Sequence, residues 1–189
     1  MDKVLKVIDD ITKDKLVKSI INSINDNQEK SKEWLIDNSK EYFKFFDNPK
    51  ICVLAGWYGN LADKLKHFSN EKVRSIDIDA TCKKIGSKLY KDIWLTTKDA
   101  REISLAKYDI VVCTSCEHFT QEEFDQIYEK INTGSLVIFQ SNDYFGIEEH
   151  LNCFTSLKDF ENSIVLSKLL FSDKLKCSKF TRYMVIGIK

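Results

Sequence analysis

From Lys50 onward, short apolar runs alternate with stretches of helical periodicity, and this alternation limits the folds that the chain can adopt. The first run, residues 51–55, is continuously apolar and ends at Gly56, which is typical of a strand buried in a parallel sheet. Four more runs follow, at residues 73–78, 92–96, 108–113 and 135–139. Most of the segments between them repeat apolar residues at helical spacing, so helices are predicted to connect the strands.

Two extended runs end the chain, at residues 164–171 and 180–188, close enough in sequence to pair antiparallel. Together with the earlier runs they predict a seven-stranded α/β sheet that is mostly parallel and doubly wound. In such a sheet, ligands bind at the carboxyl ends of the strands, near the point where strand order reverses. The residues directly after each strand are therefore the candidates for a functional site.

The first 49 residues differ, because they show helical periodicity without a predicted strand. Two apolar stripes, both expected to be packing surface, precede a third helix with an aromatic face over residues 34–46. The stripes comprise Val4, Ile8 and Ile11, and then Val17, Ile20, Ile21 and Ile24. We predict a helical segment at 1–49 packed on an α/β domain at 50–189. This segment covers the sheet, closes a pocket or meets a partner chain.

The charge balance argues against general affinity for nucleic acid. The chain has 29 Lys and Arg against 29 Asp and Glu, whereas phosphate backbones are bound by excess positive charge. No apolar run approaches the ~18 residues of a spanning helix, so no membrane partner is predicted. The start of the chain does not resemble a signal peptide, so the six cysteines predict reduced thiols and a cytoplasmic location. The one Cys-x-x-Cys, Cys113–Cys116, lacks the second cluster of a zinc site.

The loop after the first predicted strand combines two glycines with two aromatic residues, Gly56-Trp57-Tyr58-Gly59, and leads into a helix. Glycine lets the backbone turn sharply and approach a ligand closely, and a helix N-terminus offers free amides. The spacing matches neither the dinucleotide pattern G-x-G-x-x-G nor a phosphate-binding loop. A tight structural turn is the alternative to a ligand-binding role.

Carboxylates follow the second and third predicted strands. Asp77 ends the second strand, where an acidic side chain can accept hydrogen bonds from both hydroxyls of a ribose. Asp79 either shares that role or faces solvent. Asp99 after the third strand can accept a hydrogen bond from an adenine amino group, with Ala100 against the ring, unless Asp99 is a solvated loop residue. The loop and the carboxylates together predict a nucleoside site.

Taken together, these elements resemble a class I S-adenosylmethionine-dependent methyltransferase over residues 50–189. The resemblance implies a Rossmann-like fold whose last strand inserts antiparallel, and S-adenosylmethionine as the cofactor. The residues that it assigns to the cofactor are Gly56, Trp57, Tyr58, Gly59, Asp77, Asp79, Asp99, Ala100, Thr114 and Ser115. Short motifs are also similar to those of small stand-alone methyltransferase-like proteins of tailed bacteriophages: Gly-Trp-Tyr-Gly, Thr-Ser-Cys-Glu-His, Gln-Ser-Asn-Asp-Tyr-Phe and His-Leu-Asn-Cys.

The sequence departs from this family's pattern at two places. Leu54 replaces the acidic residue two positions before the first glycine, so the amino-acid end of the cofactor must be bound from elsewhere. The fourth strand is not followed by the Asn/Asp-Pro-Pro-aromatic motif of amino-directed DNA methyltransferases. This absence argues against methylation of DNA bases by that class, as does the net charge of zero. The expected methyl acceptor is therefore a small molecule or an exposed group of a macromolecule, which the sequence does not identify.

The acceptor side is predicted from residues after the fourth and fifth strands. His118 is the candidate general base or acceptor-orienting group, because the imidazole pKa of about 6.5 lies near working pH. Glu117 precedes it as the second predicted catalytic residue; alternatively, His118 caps or packs under the following helix. The predicted substrate-binding residues are Asn142, Asp143, Tyr144 and His150. Glu117, His118, Glu148 and His150 can also be grouped around a metal ion, but their spacing is not diagnostic and no metal is predicted.

Two other functions are compatible with the sequence. One is a different nucleoside-cofactor enzyme, such as a nicotinamide-dependent dehydrogenase. The other is a cofactor-binding or interaction module that has kept the fold and lost turnover, which the altered first motif makes a real alternative. The prediction that the sequence favours over both is a methyltransferase enzyme of undetermined oligomeric state.

Overall fold

A seven-stranded sheet in the order β3-β2-β1-β4-β5-β7-β6 organises the computed structural model, which describes residues 15–189. The strands are β1 (Ile51–Leu54), β2 (Arg74–Asp77), β3 (Trp94–Thr97), β4 (Ile110–Cys113), β5 (Leu136–Asn142), β6 (Lys168–Lys176) and β7 (Thr181–Ile188). The first five strands pair in parallel, whereas β7 is antiparallel to both β5 and β6. The predicted α/β fold class is confirmed, with the last strand inserted between β5 and β6.

Helices pack on both faces of this sheet. Residues 15–23 are the described part of α1, and the later helices are α2 (Asp26–Phe43), α3 (Asn60–Leu65), α4 (Ala80–Leu89), α5 (Gln121–Glu129) and α6 (Leu157–Asn162). Helix α5 begins with a reciprocal capping box between Thr120 and Glu123, as the sequence predicts. None of the helices in residues 15–189 has the length and apolar character that crossing a lipid bilayer requires.

Two apolar layers hold the helices against the sheet, because successive residues of a strand point to opposite faces. On β1, Cys52 faces the layer that contains α5 and α6, and Val53 faces the layer that contains α2 and α3. Leu35 and Phe43 of α2 are buried in that second layer. Strands β1, β4 and β5 are buried along their whole length, which explains the continuous apolar sequences of β1, β4 and the first four residues of β5.

The second predicted N-terminal stripe does not pack into the core as expected. Its exposed members are Val17, Ile21 and Ile24. Helix α1 instead directs polar residues inward, since the Ser19 hydroxyl lies 2.8 Å from the Tyr58 hydroxyl and Ser23 is buried. The prediction of a packed stripe is therefore wrong here, and the stripe of Val4, Ile8 and Ile11 lies outside the described residues.

The penultimate strand also begins later than predicted. The apolar run at 164–171 suggests a strand from Ile164, but β6 begins at Lys168. The Ile164 N–H donates to the Glu161 carbonyl at 3.2 Å and so still belongs to the end of α6. Ile164 is buried in the apolar layer beneath that helix, which accounts for its hydrophobic character without a strand.

Helix α4 packs closely on the loop that follows β1, and Gly86 makes this contact possible. A Cβ atom at Gly86 would lie 2.3 Å from the Tyr58 carbonyl oxygen and 2.8 Å from Leu95 Cδ1. We therefore expect Gly86→Ala to lower the free energy of unfolding by about 1–3 kcal/mol, although alanine favours a helix interior over glycine by about 1 kcal/mol. Urea unfolding measures the difference.

The matched control for this prediction is Ser87→Ala, at the exposed neighbouring position of the same helix. It should be neutral or slightly stabilising, because alanine is the better helix former and no close contact is created. A gain of stability in both variants would show that α4 does not depend on close approach to the loop.

Candidate functional site

A cavity of about 710 Å³ opens at the carboxyl ends of the parallel strands. Residues that follow β1 to β5 line it, together with residues from α1, α2 and the start of β7. This volume is typical of small-molecule and cofactor sites, and the position is that of ligands in doubly wound sheets. The predicted site residues that line it are Gly56, Trp57, Tyr58, Asp77, Asp79, Asp99, Ala100, Thr114, Ser115, Glu117, His118, Asn142, Tyr144 and His150.

Two predicted site residues, Gly59 and Asp143, are not part of this lining. Gly59 precedes α3, and a Cβ atom there would lie 2.6 Å from Ile93 Cδ1, so the residue faces the sheet side of the loop. The Asp143 carboxylate accepts a hydrogen bond from the Thr181 N–H at 2.6 Å and so fixes the start of β7. The structure thus gives both residues supporting positions, not ligand-facing ones.

The loop after β1 is strained, and Asp77 holds it in place. Ala55 and Trp57 both have positive φ, 46° and 52°, a region that costs a non-glycine residue roughly 1–3 kcal/mol. The Asp77 carboxylate accepts hydrogen bonds from the Trp57 N–H at 2.8 Å and the Asp79 N–H at 3.0 Å. Gly56 allows β2 to lie close, since a Cβ atom there would meet Ser75 Oγ at 2.1 Å.

The start of α4 carries the remaining groups at the tip of β2. The Asp79 carboxylate accepts the Thr81 N–H at 2.7 Å and so caps the helix while lining the cavity. Cys82, in the first turn of α4, also lines the cavity. Burial raises the pKa of its thiol to about 12, and the negative charges of Asp77 and Asp79 add to this effect. The thiol is therefore protonated at neutral pH and contributes polarity, not a nucleophile.

Asp99, the predicted adenine contact, is held by a neighbour that the sequence did not single out. The Arg101 side chain binds both Asp99 carboxylate oxygens, with its closest contact at 2.6 Å, and the Arg101 N–H donates to Asp99 as well. A second contact joins Arg101 to Glu123 of α5 at 2.7 Å. Hydrogen bonding from Arg101 lowers the pKa of Asp99. The Asp99 carboxylate thus already has donors, so a ligand must compete with Arg101.

Backbone hydrogen bonds bring the loops after β4 and β5 together on the opposite side of the cavity. The Glu117 carbonyl accepts the N–H groups of Leu151 and Asn152 at 2.7 and 3.1 Å. The Glu149 carbonyl accepts a hydrogen bond from His118 Nδ1 at 3.1 Å. These contacts explain how His150, far along the chain, lies next to the residues that follow β4.

Three predicted acceptor-side residues form one cluster in this region. The rings of His118 and His150 meet edge to face with centroids 5.0 Å apart, and Glu117 contributes a carboxylate. One ligand atom from each of the three side chains lies within 4.8 Å of the other two. Glu148, also considered as a metal ligand, is exposed and lies outside this group.

Two buried cations line the cavity and were missed by sequence reasoning. Lys32 of α2 donates to the Ser23 carbonyl at 2.6 Å, and Arg182 of β7 donates through Nη1 to the Thr114 carbonyl at 2.7 Å. Burial lowers the pKa of Lys32, and the Arg182 charge adds to this effect. No local sequence pattern predicts that either residue lines the cavity, because Lys32 lies on a mostly polar helix and Arg182 at the start of the last strand.

The fold defined by this sheet order is that of class I S-adenosylmethionine-dependent methyltransferases. The chain is similar to the N-methyltransferase NodS from Bradyrhizobium japonicum WM9 in complex with S-adenosyl-L-homocysteine, with a TM-score of 0.67 and 11% identity over 88% of this chain and 90% of that one. It is also similar to magnesium protoporphyrin IX methyltransferase (ChlM) from Synechocystis PCC 6803 with bound SAM, with a TM-score of 0.62 and 12% identity over 85% and 77%. No protein-family model and no curated protein matches the sequence.

The Asp99–Arg101 pair predicts a measurable titration. Arg101→Gln should raise the pKa of Asp99 toward its ordinary value, because the variant removes the guanidinium that stabilises the carboxylate. Since the folded pKa lies below the unfolded one, the pair stabilises the fold above the unfolded pKa and loses this effect as pH falls through the folded pKa. Carboxyl NMR titration measures the shift.

Asp159 serves as the internal control for this titration. Its pKa is lowered by the Thr155 and Ser156 hydroxyls, which the Arg101→Gln variant leaves untouched. The Asp159 titration should therefore be the same in both proteins. An unchanged Asp99 pKa in the variant would show that Arg101 does not hold this carboxylate in solution.

Proposed function

We propose that the protein is an S-adenosylmethionine-dependent methyltransferase. The observation that carries this proposal is the position of the Asp77 carboxylate. It lines the cavity at the end of β2 and binds the strained loop after β1, in a sheet with the methyltransferase strand order. The lining fits the cofactor, since carboxylates, backbone amides and apolar side chains alternate along it. When bound, S-adenosylmethionine supplies an electrophilic methyl group on its sulfonium sulfur.

The nucleoside half of the cofactor is assigned to the tips of β2 and β3. The Asp77 oxygens accept two backbone N–H groups, and further lone pairs can accept hydrogen bonds from ribose hydroxyls. Ile78 and Ala100 line the cavity directly after Asp77 and Asp99 and offer apolar surface for a base. The adenine amino group would then bind Asp99 in one of two ways. Either Arg101 releases the carboxylate, or the amino group donates a hydrogen bond to it while Arg101 stays bound.

The amino-acid half of the cofactor is assigned to the buried cations. Because Leu54 replaces the usual acidic residue, this contact must come from another element, and Lys32 and Arg182 line the same cavity. Arg182 Nε has no hydrogen-bond partner among residues 15–189, and Lys32 has one donor left beyond its contacts with Ser23 and Glu29. These spare donors fit a carboxylate.

The acceptor side comprises Glu117, His118, Asn142, Tyr144 and His150. These residues line the cavity from the end of β5 and from the loops after β4 and β5. Strands β4 and β5 lie on one side of β1 in the sheet, whereas β2 and β3, which precede or carry Asp77 and Asp99, lie on the other. We propose a small molecule or an exposed macromolecular group as acceptor, without affinity for nucleic acid or membrane. Holding acceptor and methyl group in line supplies much of the rate in such a reaction.

The finer assignment of the chain also belongs to this proposal. Most residues of the motifs Gly-Trp-Tyr-Gly and Thr-Ser-Cys-Glu-His line the cavity, which supports placing the protein with the small bacteriophage methyltransferase-like proteins. All six cysteines are free thiols, which supports the cytoplasmic location. Ser23 and Lys32 line the cavity, which supports a role for the N-terminal helices in the pocket.

Calorimetry with S-adenosylmethionine and S-adenosylhomocysteine tests the cofactor assignment. Asp77→Ala should weaken binding by about 1–3 kcal/mol, the cost of leaving buried hydrogen-bond donors without an acceptor. Asp77→Asn should weaken it less, because one acceptor oxygen remains. The control is Asp173→Ala, at an exposed position of β6 outside the cavity lining. Equal affinity in the folded Asp77 variants would remove this carboxylate from the cofactor site.

Transfer of a labelled methyl group into cell lysate separates the remaining alternatives. The proposed enzyme labels a component of the lysate, and heat-inactivated protein does not. Cofactor binding without label transfer would favour a non-catalytic module with the methyltransferase fold. Binding of a nicotinamide cofactor with no affinity for S-adenosylmethionine would instead favour the dehydrogenase alternative.

A further inference from the structure

We propose that Glu117, His118 and His150 form a binding site for a divalent transition-metal ion of the zinc, cobalt and iron(II) class. Two imidazoles and one carboxylate are a ligand set that such ions accept while keeping open positions. All three side chains line the cavity. The ion would therefore lie at the acceptor side, apart from the carboxylates assigned to the nucleoside.

The distances between the three ligand atoms suit a metal ion after small side-chain movements. One ligand atom from each residue lies within 4.8 Å of the others. Metal–ligand bonds of about 2.1 Å in tetrahedral geometry separate ligand atoms by about 3.4 Å, so side-chain movements of roughly 1 Å are sufficient. Backbone hydrogen bonds from Leu151 and Asn152 to Glu117 already fix the two loops that carry these side chains.

Both histidines are oriented as metal ligands usually are. His118 Nδ1 lies 3.1 Å from the Glu149 carbonyl, and His150 Nδ1 lies 2.9 Å from the Tyr144 carbonyl. A carbonyl oxygen only accepts, so Nδ1 carries the proton in each ring and Nε2 keeps its lone pair. Donation of the second ring nitrogen to a backbone carbonyl is the arrangement that fixes a metal-binding imidazole.

The burial of Glu117 is the independent observation that indicates a cation. Glu117 is only 3% exposed, and its Oε2 atom has no hydrogen-bond donor within residues 15–189. A buried carboxylate oxygen without a hydrogen-bond donor is costly unless a positive charge compensates it. None of the ion pairs within residues 15–189 includes Glu117, so a bound cation would supply the compensating charge.

The role of this site rests on the proposed methyltransferase function. Three protein ligands leave coordination positions toward the cavity, and hard or borderline ions bind oxygen donors there. The site therefore selects an acceptor that carries a hydroxyl or carboxylate oxygen. It would hold that oxygen on the acceptor side of the cavity and favour its deprotonated form, a task that the sequence analysis assigns to His118 as general base.

Cobalt(II) titration of tag-free protein tests the site without requiring methyl transfer. Visible absorption bands should appear with saturation at one ion per chain, and zinc(II) should displace them. His150→Ala should weaken cobalt binding by about 100-fold or more, since loss of an outer-sphere partner alone costs 10–100-fold. Acetohydroxamate, an oxygen chelator, should alter the cobalt spectrum if coordination positions are open to the cavity.

The matched control is His67→Ala, which removes the exposed histidine outside the cluster and should leave the titration unchanged. Glu117→Gln keeps the side-chain shape and provides a variant that need not unfold. Zinc should raise the melting temperature of the wild type and of His67→Ala but not of Glu117→Gln. No saturable spectrum, or equal binding by the wild type and the folded His150 and Glu117 variants, would overturn the site.

Failure of this site and failure of the proposed function are distinguishable. Cofactor binding by calorimetry together with an absent cobalt spectrum would discard the metal and keep the methyltransferase. A cobalt spectrum that depends on His150 and Glu117, in a protein with no affinity for S-adenosylmethionine, would keep the metal site and discard its role in methyl transfer.

Discussion

The Asp77 carboxylate is the interaction on which the rest of this site depends. It accepts the N–H of Trp57 in the strained loop after β1 and the N–H of Asp79 at the start of α4. Two segments that diverge from the sheet are thereby joined at one point. The unfavourable backbone at Ala55 and Trp57 is tolerated because β2 and α4 fix both ends of the loop. The group that stabilises the loop is also the group that faces the cavity.

Cavity residues at the ends of the parallel strands could be predicted from sequence, whereas those contributed by a helix and by the last strand could not. Continuous apolar runs locate β1, β4 and β5, and the residues after them must then lie at one edge of a parallel sheet. Asp77, Asp99 and Glu117 follow from that rule alone. Lys32 and Arg182 reach the cavity from a helix and from an antiparallel strand, so their placement depends on long-range packing that no local pattern encodes.

The errors have similar physical causes. Asp143 directly follows the cavity residue Asn142, but neighbouring residues at the end of a strand point to opposite sides, and its carboxylate caps β7 instead. Helical periodicity correctly predicts α1 but assigns the wrong face inward, because the surface beneath it is polar: Tyr58 and Lys32 contact Ser19 and Ser23. Periodicity identifies a helix and its apolar side, whereas the neighbouring surface decides which side is buried.

The two halves of the cavity are held by separate networks of hydrogen bonds. Asp77 organises the loop after β1 and the start of α4, whereas the Glu117 carbonyl ties the loop after β5 to the turn after β4. None of the hydrogen bonds described for one network involves a residue of the other. Substitutions in the loop after β5 can therefore alter the proposed acceptor side and its charge without disturbing the Asp77 contacts. If the proposed assignment holds, such a division lets the cofactor site stay the same while the acceptor specificity changes, because strand ends position the first and connecting loops shape the second.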